Sequence, residues 1–308
     1  MKTKPRIVVV GSLVMDFVAR GPRLPQKGET ILGDLFGMYP GGKGANQSVQ
    51  AARLGAEVLM VGCVGDDLFG ETLLSSLRES NVDTQFVRQD PSVKTAACCI
   101  HVDRQGNNAI TIVPEANLAC GPADIDLAAD VIRSADLVVC QLEVPLATVQ
   151  YALQLAADGQ IRTILNPAPA QPLSPTLLAT VTILTPNETE AQVLTAEAIG
   201  IGGESRVARA LLSKGPQSVV ITLGERGAYL VTRKMERLIP AFQVQVQDAT
   251  AAGDAFNGAL AVALAEGYEL EDAIVFANAT GALSTTRPGA QPSLPHRSEV
   301  DALLGRRR

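Results

Sequence analysis

The segment with the most chemical promise is Asp248-Ala249-Thr250-Ala251-Ala252-Gly253-Asp254-Ala255-Phe256, which opens a helically patterned stretch, Ala255 to Ala265. Small side chains at a helix start bare the backbone amides, and such amides attract anions. A carboxylate among them, Asp254, could take a proton from an attacking hydroxyl while the amides hold a phosphoryl group. The same spacing also suits Asp254 as a plain helix cap. Gly41-Gly42-Lys43-Gly44-Ala45-Asn46 precedes another helix. Its glycines let the backbone approach a ligand, and Lys43 and Asn46 can hydrogen-bond hydroxyls, although glycine turns are also ordinary loop punctuation. Asn187-Glu188-Thr189-Glu190 reads as a capping box. Equally, it could set Asn187 and Glu190 near Mg²⁺, water and phosphates at a strand end. Thr222-Leu223-Gly224-Glu225-Arg226-Gly227 is a glycine turn after a strand, a weak signal by itself. Neither a GxxxxGK[ST] phosphate loop nor a GxGxxG after the first strand is present, which argues against P-loop and dinucleotide chemistry.

The elements that must position these residues follow from hydrophobic patterning. Short apolar runs at Ile7 to Val10, Val58 to Val64, Leu137 to Cys140, Ile161 to Leu165, Val181 to Leu184 and Val219 to Thr222 read as buried strands. Between them, helical spacing covers Ala45 to Leu54, Phe69 to Ser80, Ile125 to Ser134, Leu146 to Ala157, Glu188 to Leu194 and Val207 to Lys214. This alternation predicts an α/β protein: a mostly parallel sheet covered by helices on both faces. Phe17 to Ala19 with Thr30 to Met38, and Thr95 to Val102 with Ala109 to Val113, alternate with period two instead. They predict a small antiparallel sheet acting as a lid, with Asp103 to Asn108 as a hairpin loop. Residues 1–308 are expected to form one domain, with lid segments at about 12–40 and 95–115.

Composition narrows the function classes. The 308 residues are 46% hydrophobic and only 19% charged, enough for a large core and unlike a disordered chain. The net charge of −6 and the absence of Trp argue against a nucleic-acid partner. The one tight basic run, at 306–308, reads as a solvated tail. Two histidines, His101 and His296, are too few for His-rich zinc or Ser-His-Asp catalysis. The five cysteines, Cys63, Cys98, Cys99, Cys120 and Cys140, show no CxxC spacing and read as reduced thiols. No apolar run reaches membrane-spanning length, so a cytoplasmic protein without a membrane partner is expected.

Taken together, these segments resemble the ribokinase family of carbohydrate kinases along essentially the whole chain. The resemblance rests on Gly11-Ser12 with Asp16, Pro25 with Gly28-Glu29-Thr30, and Gly41 to Asn46. It continues in order through Gln141-Leu142-Glu143, Asn166 to Ala170, Thr185 to Glu190, and Ala251 to Asp254 with Phe256-Asn257-Gly258. Thr286-Arg287 and Gly289-Ala290-Gln291-Pro292-Ser293 complete it. It implies a three-layer α/β/α fold with a β lid, and transfer of the ATP γ-phosphoryl group to the 5-hydroxyl of a pentose, D-ribose first. By the same resemblance Asp254 is the base, and the amides of Ala251, Ala252 and Gly253 form an anion hole. Asp16, Gly42, Lys43, Asn46 and Glu143 would hold the sugar. Asn187, Thr222, Gly224, Gly227, Gly253 and Asn278 would face ATP, with Mg²⁺ reached from Glu190 through water. Asp248, Thr250, Ser284, Arg287, Gly289 and Ser293 match the family's K⁺ loop, mostly through backbone oxygens, and paired lids imply a homodimer.

Three positions depart from the family pattern. Val14 stands where Asn is usual, and a valine cannot bond a sugar hydroxyl. That opens 2-deoxyribose, or another sugar, as the acceptor. Ala249 replaces a common Thr, with small effect expected where ligation is through backbone, and Asn278 replaces a frequent His near adenine. A nucleoside kinase suits the polyol-sized Gly41 to Asn46 segment less well. A non-catalytic sensor on this scaffold would be expected to lack Asp254 or Gly253, and both are present.

Overall fold

The computed structural model describes residues 4–305 except 198, 200 and 201; the basic run at 306–308 lies outside the described residues. In chain order the strands are β1 (Arg6–Val10), β2 (Val14–Arg20), β3 (Leu35–Gly41), β4 (Glu57–Gly65), β5 (Val82–Asp90), β6 (Ala97–Val102) and β7 (Asn108–Val113). They continue as β8 (Leu137–Cys140), β9 (Arg162–Leu165), β10 (Ile183–Leu184), β11 (Ser218–Thr222), β12 (Ala228–Thr232) and β13 (Glu236–Ile239). Nine of them form one sheet in the order β13-β12-β11-β10-β9-β8-β1-β4-β5. It is parallel from β5 across to β11, and antiparallel only where β12 and β13 are added at one edge.

Burial on both faces explains the continuous apolar runs. In β1, Ile7 and Val9 join the core on one side, while Val8 and Val10 join the core on the other. The helices Lys43–Arg53 and Ala252–Ala265 share the first core, through Ala45 and Val49 against Ala255, Phe256 and Ala259. The helix Leu146–Asp158 packs Val149, Ala152 and Leu153 into the second. The glycine-turn helix and the Asp254 helix therefore lie on the same face of the sheet.

The small sheet has the order β3-β2-β6-β7. Expected as antiparallel, it is so at both outer pairs, but its central pair β2–β6 runs parallel. The reason is connectivity: β2 and β6 each leave the main sheet in the same direction, after β1 and β5. Leu32, Phe36, Met38 and Ile110 are exposed on this sheet and its loop.

Several expected elements differ in extent: the lid strand expected from Thr30 to Met38 runs Leu35–Gly41, and the helix expected from Ala255 begins at Ala252. The strand at 181–184 is reduced to Ile183–Leu184, because the Thr163 and Thr182 hydroxyls accept each other's backbone N–H in place of ladder bonds. The helix at 125–134 is broken into Pro122–Leu127 and Ala129–Arg133, with the N–H of Ala128 turned to the carbonyl of Ile125. The helix Leu270–Ser284 had no clear apolar face in the sequence. It packs on Ala252–Ala265 through small residues such as Ala273, Ala277 and Ala279.

Candidate active site

β1 ends beneath the junction of the two sheets, and the chain crosses into the lid through Gly11-Ser12-Leu13. Asn117 clamps this crossing, accepting from the Leu13 N–H and donating to the Leu13 carbonyl, both at 3.0 Å. The lid returns at Gly41, where an added Cβ would sit 2.2 Å from Asp16 Oδ2, so only glycine lets the carboxylate lie against the backbone. Gly42 follows at φ +92°, a conformation that favours glycine, and starts the helix Lys43–Arg53. Glu143 comes in from the loop after β8. Its Oε2 accepts from the Ser12 hydroxyl and from the Lys43 N–H, the latter at 3.1 Å.

Asp16, Lys43 and Glu143 thus form a polar cradle at the lid base. Burial, and then the neighbouring Glu143 and Asp254 carboxylates, push Asp16 up to about 7, while Lys43 pulls the other way. Burial works against the Lys43 ammonium, but Asp254, Glu143, Glu190 and Asp16 outweigh it and raise its pKa. One cation is therefore shared among four carboxylates.

Asp254 is buried, with 7% of its surface exposed. It does not cap its helix: the N-cap is Ala251, at φ +60°, and it makes no side-chain cap bond. The carboxylate instead accepts from Asn46 Nδ2 at Oδ2 and from Gln47 Nε2 at Oδ1, each at 2.9 Å. Burial raises its pKa, opposed by Lys43, Asn46 and Gln47. Asn46 keeps a buried, unpartnered Oδ1 that can accept from a ligand hydroxyl. At the helix start the Ala252 N–H donates to the Ala249 carbonyl at 3.2 Å, and the Cα of Gly253 faces open space.

On the other side of this helix start lies a cavity of about 670 Å³. Asn187, Thr222, Gly224, Gly227, Gly253 and Asn278 all line it. Phe242, Val244 and Phe256 supply apolar walls. Two of these, Phe242 and Val244, lie in the alternating run Phe242-Gln243-Val244-Gln245-Val246-Gln247, a period-two signal that could have marked them although the run forms no strand. The Asn278 side-chain amide is already bonded to the carbonyls of Ile239 and Pro240. Asn187 and Glu190 form the reciprocal capping box, so both Glu190 oxygens accept from Asn187.

The loops around Asp248 and Gly289 meet beside the helix start. Asp248 accepts from the Thr250 N–H and hydroxyl and from the Gly289 N–H at 2.8 Å. Ser284 and Ser293 donate their hydroxyls to the carbonyls of Gly281 and Ala290. The Arg287 side chain is tied to Glu299, which leaves that residue only its backbone carbonyl for a cation.

A sheet of this order, a lid on its edge and a buried carboxylate at a helix start, with a polar cradle on one side and a cavity on the other, define a phosphoryl-transfer scaffold of the sugar-kinase type. The model for "pfkB family carbohydrate kinase" matches residues 4–297, and the chain belongs to that family. Ribokinase of Bacillus subtilis is 42% identical over 97% of this chain and 99% of its own length. Deoxyribokinase of Salmonella typhimurium is 37% identical over 97% of this chain and 98% of its own. A solved structure of Arabidopsis thaliana ribokinase, complexed with ribose and ATP, superposes with a TM-score of 0.91 at 32% identity, covering 98% and 99% of the two chains.

The raised Asp16 pKa has a consequence for stability. Between about 4 and about 7 the folded state holds a proton on Asp16 that the unfolded state has lost, so raising the pH through this window destabilises the unliganded protein. Denaturant melts across that range are expected to show this decline, and Asp16→Asn to show less of it. An identical slope in the variant would contradict the assignment.

Proposed function

We propose that the protein transfers the γ-phosphoryl group of ATP to the 5-hydroxyl of D-ribose, with Asp254 as the base. The observation that carries this reading is the place of Asp254: buried, held by two amide donors, between the polar cradle of Asp16, Lys43 and Glu143 and a cavity of about 670 Å³. Asp16, Lys43, Asn46 and Glu143, with the Gly42 backbone, are suited to bind the sugar hydroxyls. Asp254 takes the proton of the attacking hydroxyl. The amides at 251–253 would hold the transferring phosphoryl group where charge spreads in the transition state, the Ala252 N–H giving up its 3.2 Å bond to the Ala249 carbonyl. Closure of the small sheet would keep water, the competing acceptor, out of the site. The names of the Bacillus subtilis and Arabidopsis thaliana relatives support the same substrates.

Magnesium suits this site as an ion that arrives with the nucleotide. Among the described residues no group of three His, Cys, Asp or Glu could hold a metal by itself, and Glu190 is committed to its capping box. Bound there, Mg²⁺ would neutralise phosphate charge, reached from Glu190 through water. The all-oxygen donors at Asp248, Thr250, Ser284, Arg287, Gly289 and Ser293 suit a monovalent cation bordering the helix start. K⁺ there would tune the anion hole without touching substrate. The exposed apolar residues of the lid suit a second lid, hence a homodimer, and five free thiols suit the reducing cytoplasm.

A specific observation favours a second acceptor, 2-deoxyribose. Val14 is buried, with 2% of its surface exposed, packs with Ala96 and Cys98, and has no side-chain group that could pair a sugar hydroxyl. A sugar hydroxyl left unpaired there costs about 1–3 kcal/mol. A sugar lacking it would escape that cost, and the Salmonella typhimurium relative is named for that sugar.

Coupled ADP release with D-ribose and 2-deoxy-D-ribose at matched concentrations tests the acceptor. Val14→Asn is expected to move the kcat/KM ratio toward ribose by about 10-fold. An unmoved ratio would remove Val14 as the specificity switch, and silence on both sugars would remove the pentose kinase reading. Exchanging K⁺ for Na⁺ should slow turnover, and sedimentation should give a dimer. Equal rates would sink the cation assignment, and a monomer at assay concentrations the lid pairing.

A further inference from the structure

Behind Asp254 runs a chain of buried side-chain amides to which no role has yet been given. It begins at Gln141, the residue after β8, whose Nε2 donates to Gln47 Oε1 at 2.7 Å. That bond fixes which way the Gln47 amide faces. Its NH₂ group must point away from Gln141, and its two protons go to Asp254 Oδ1 at 2.9 Å and Asn166 Oδ1 at 3.1 Å. Asn166, after β9, donates to the Thr185 carbonyl at 3.1 Å. The Thr185 hydroxyl donates to Asn257 Oδ1 at 2.6 Å, and Asn257 Nδ2 donates to the Gly253 carbonyl at 2.8 Å. The chain therefore leaves the Asp254 helix at one carboxylate oxygen and returns to the same helix one residue earlier.

Every member is nearly or wholly withdrawn from water, Gln47 and Gln141 completely so. Gln141 Oε1 is buried without a partner, while the amide groups of Gln47, Asn166 and Asn257 are all paired, and the directions of these bonds reinforce one another. Four of the five residues, Gln141, Asn166, Thr185 and Asn257, belong to segments that carried the family resemblance without a role in sugar, nucleotide or cation binding.

We propose that Gln47 is the positioning residue of the general base: by donating to Asp254 Oδ1 it fixes the carboxylate's rotation against the helix start and favours its ionised form. The proposal rests on Asp254 being the base. Asn46 holds the other oxygen, but Asn46 also faces the sugar, whereas Gln47 is spent wholly on the interior. An ionised carboxylate matters because burial pushes the Asp254 pKa upward. The charged groups acting on it are Lys43, which favours the charge, and Asp16, Glu143 and Glu190, which oppose it. A donor from Gln47 adds to the Lys43 side without adding a charge.

The test is Gln47→Met, which keeps the length and removes the amide. The expected kcat falls about 10-fold to 100-fold, while KM for the sugar stays within about 2-fold. The acidic limb of the kcat profile moves to higher pH. In ¹³C-carboxyl NMR of aspartate-labelled protein, with Asp254→Asn for assignment, the Asp254 resonance titrates at higher pH in the variant. Gln141→Met, one bond further along, is expected to move both readouts the same way by less, and carries the test if Gln47→Met does not fold. An Asp254 titration unchanged in these variants, or a loss confined to KM, would overturn the proposal. The carboxyl titration needs no turnover. A wild-type protein silent on every sugar would therefore count against the kinase reading, while Gln47 would still be judged.

Discussion

The burial of one carboxylate at the start of one helix is the constraint on which the rest of the structure turns. An ionised Asp254 in that position is unfavourable unless donors and a cation surround it. Lys43, Asn46 and Gln47 supply these, and all three lie in the first turns of the helix Lys43–Arg53. The two helices must therefore lie side by side, and they do so on one face of the sheet, with small residues at the contact. Gly258 is part of that contact: an added Cβ would meet the Gln47 carbonyl at 2.8 Å. Charge chemistry and close packing thus specify the same geometry.

The parallel sheet delivers the remaining groups to one edge. Ser12 follows β1, Glu143 and Gln141 follow β8, Asn166 follows β9, Thr185 and Asn187 follow β10, and Thr222 ends β11. All of them stand at strand C-terminal ends, where open α/β sheets gather their ligands. The lid inserts Asp16 from outside this layer. One consequence is the crowding of negative charge around Lys43. On the proposed function, sugar hydroxyls donated to these carboxylates relieve part of the cost.

Much of this was legible in the sequence because it is local. Apolar runs marked the central strands, small residues marked the anion-attracting helix start, and Gly41 to Asn46 marked a close backbone approach. The positions expected to face ATP, 187, 222, 224, 227, 253 and 278, line one cavity. What stayed hidden depends on distant partners. The parallel β2–β6 pair is a fact of connectivity. The strand at 181–184 yielded to hydroxyls of Thr163 and Thr182 that periodicity does not register. In the sequence Gln47 is one more polar residue in a helix, and its partners Gln141, Asn166 and Asp254 lie 94, 119 and 207 residues away along the chain.

The most direct test of the account separates the chemistry of Asp254 from its structural place. Asp254→Asn keeps the shape and removes the base, and sugar binding by calorimetry is compared with ADP release under the same conditions. The account predicts that turnover falls by about 100-fold or more while the sugar is still bound. Turnover near the wild-type rate would contradict it, and so would a folded variant that has lost sugar binding together with activity.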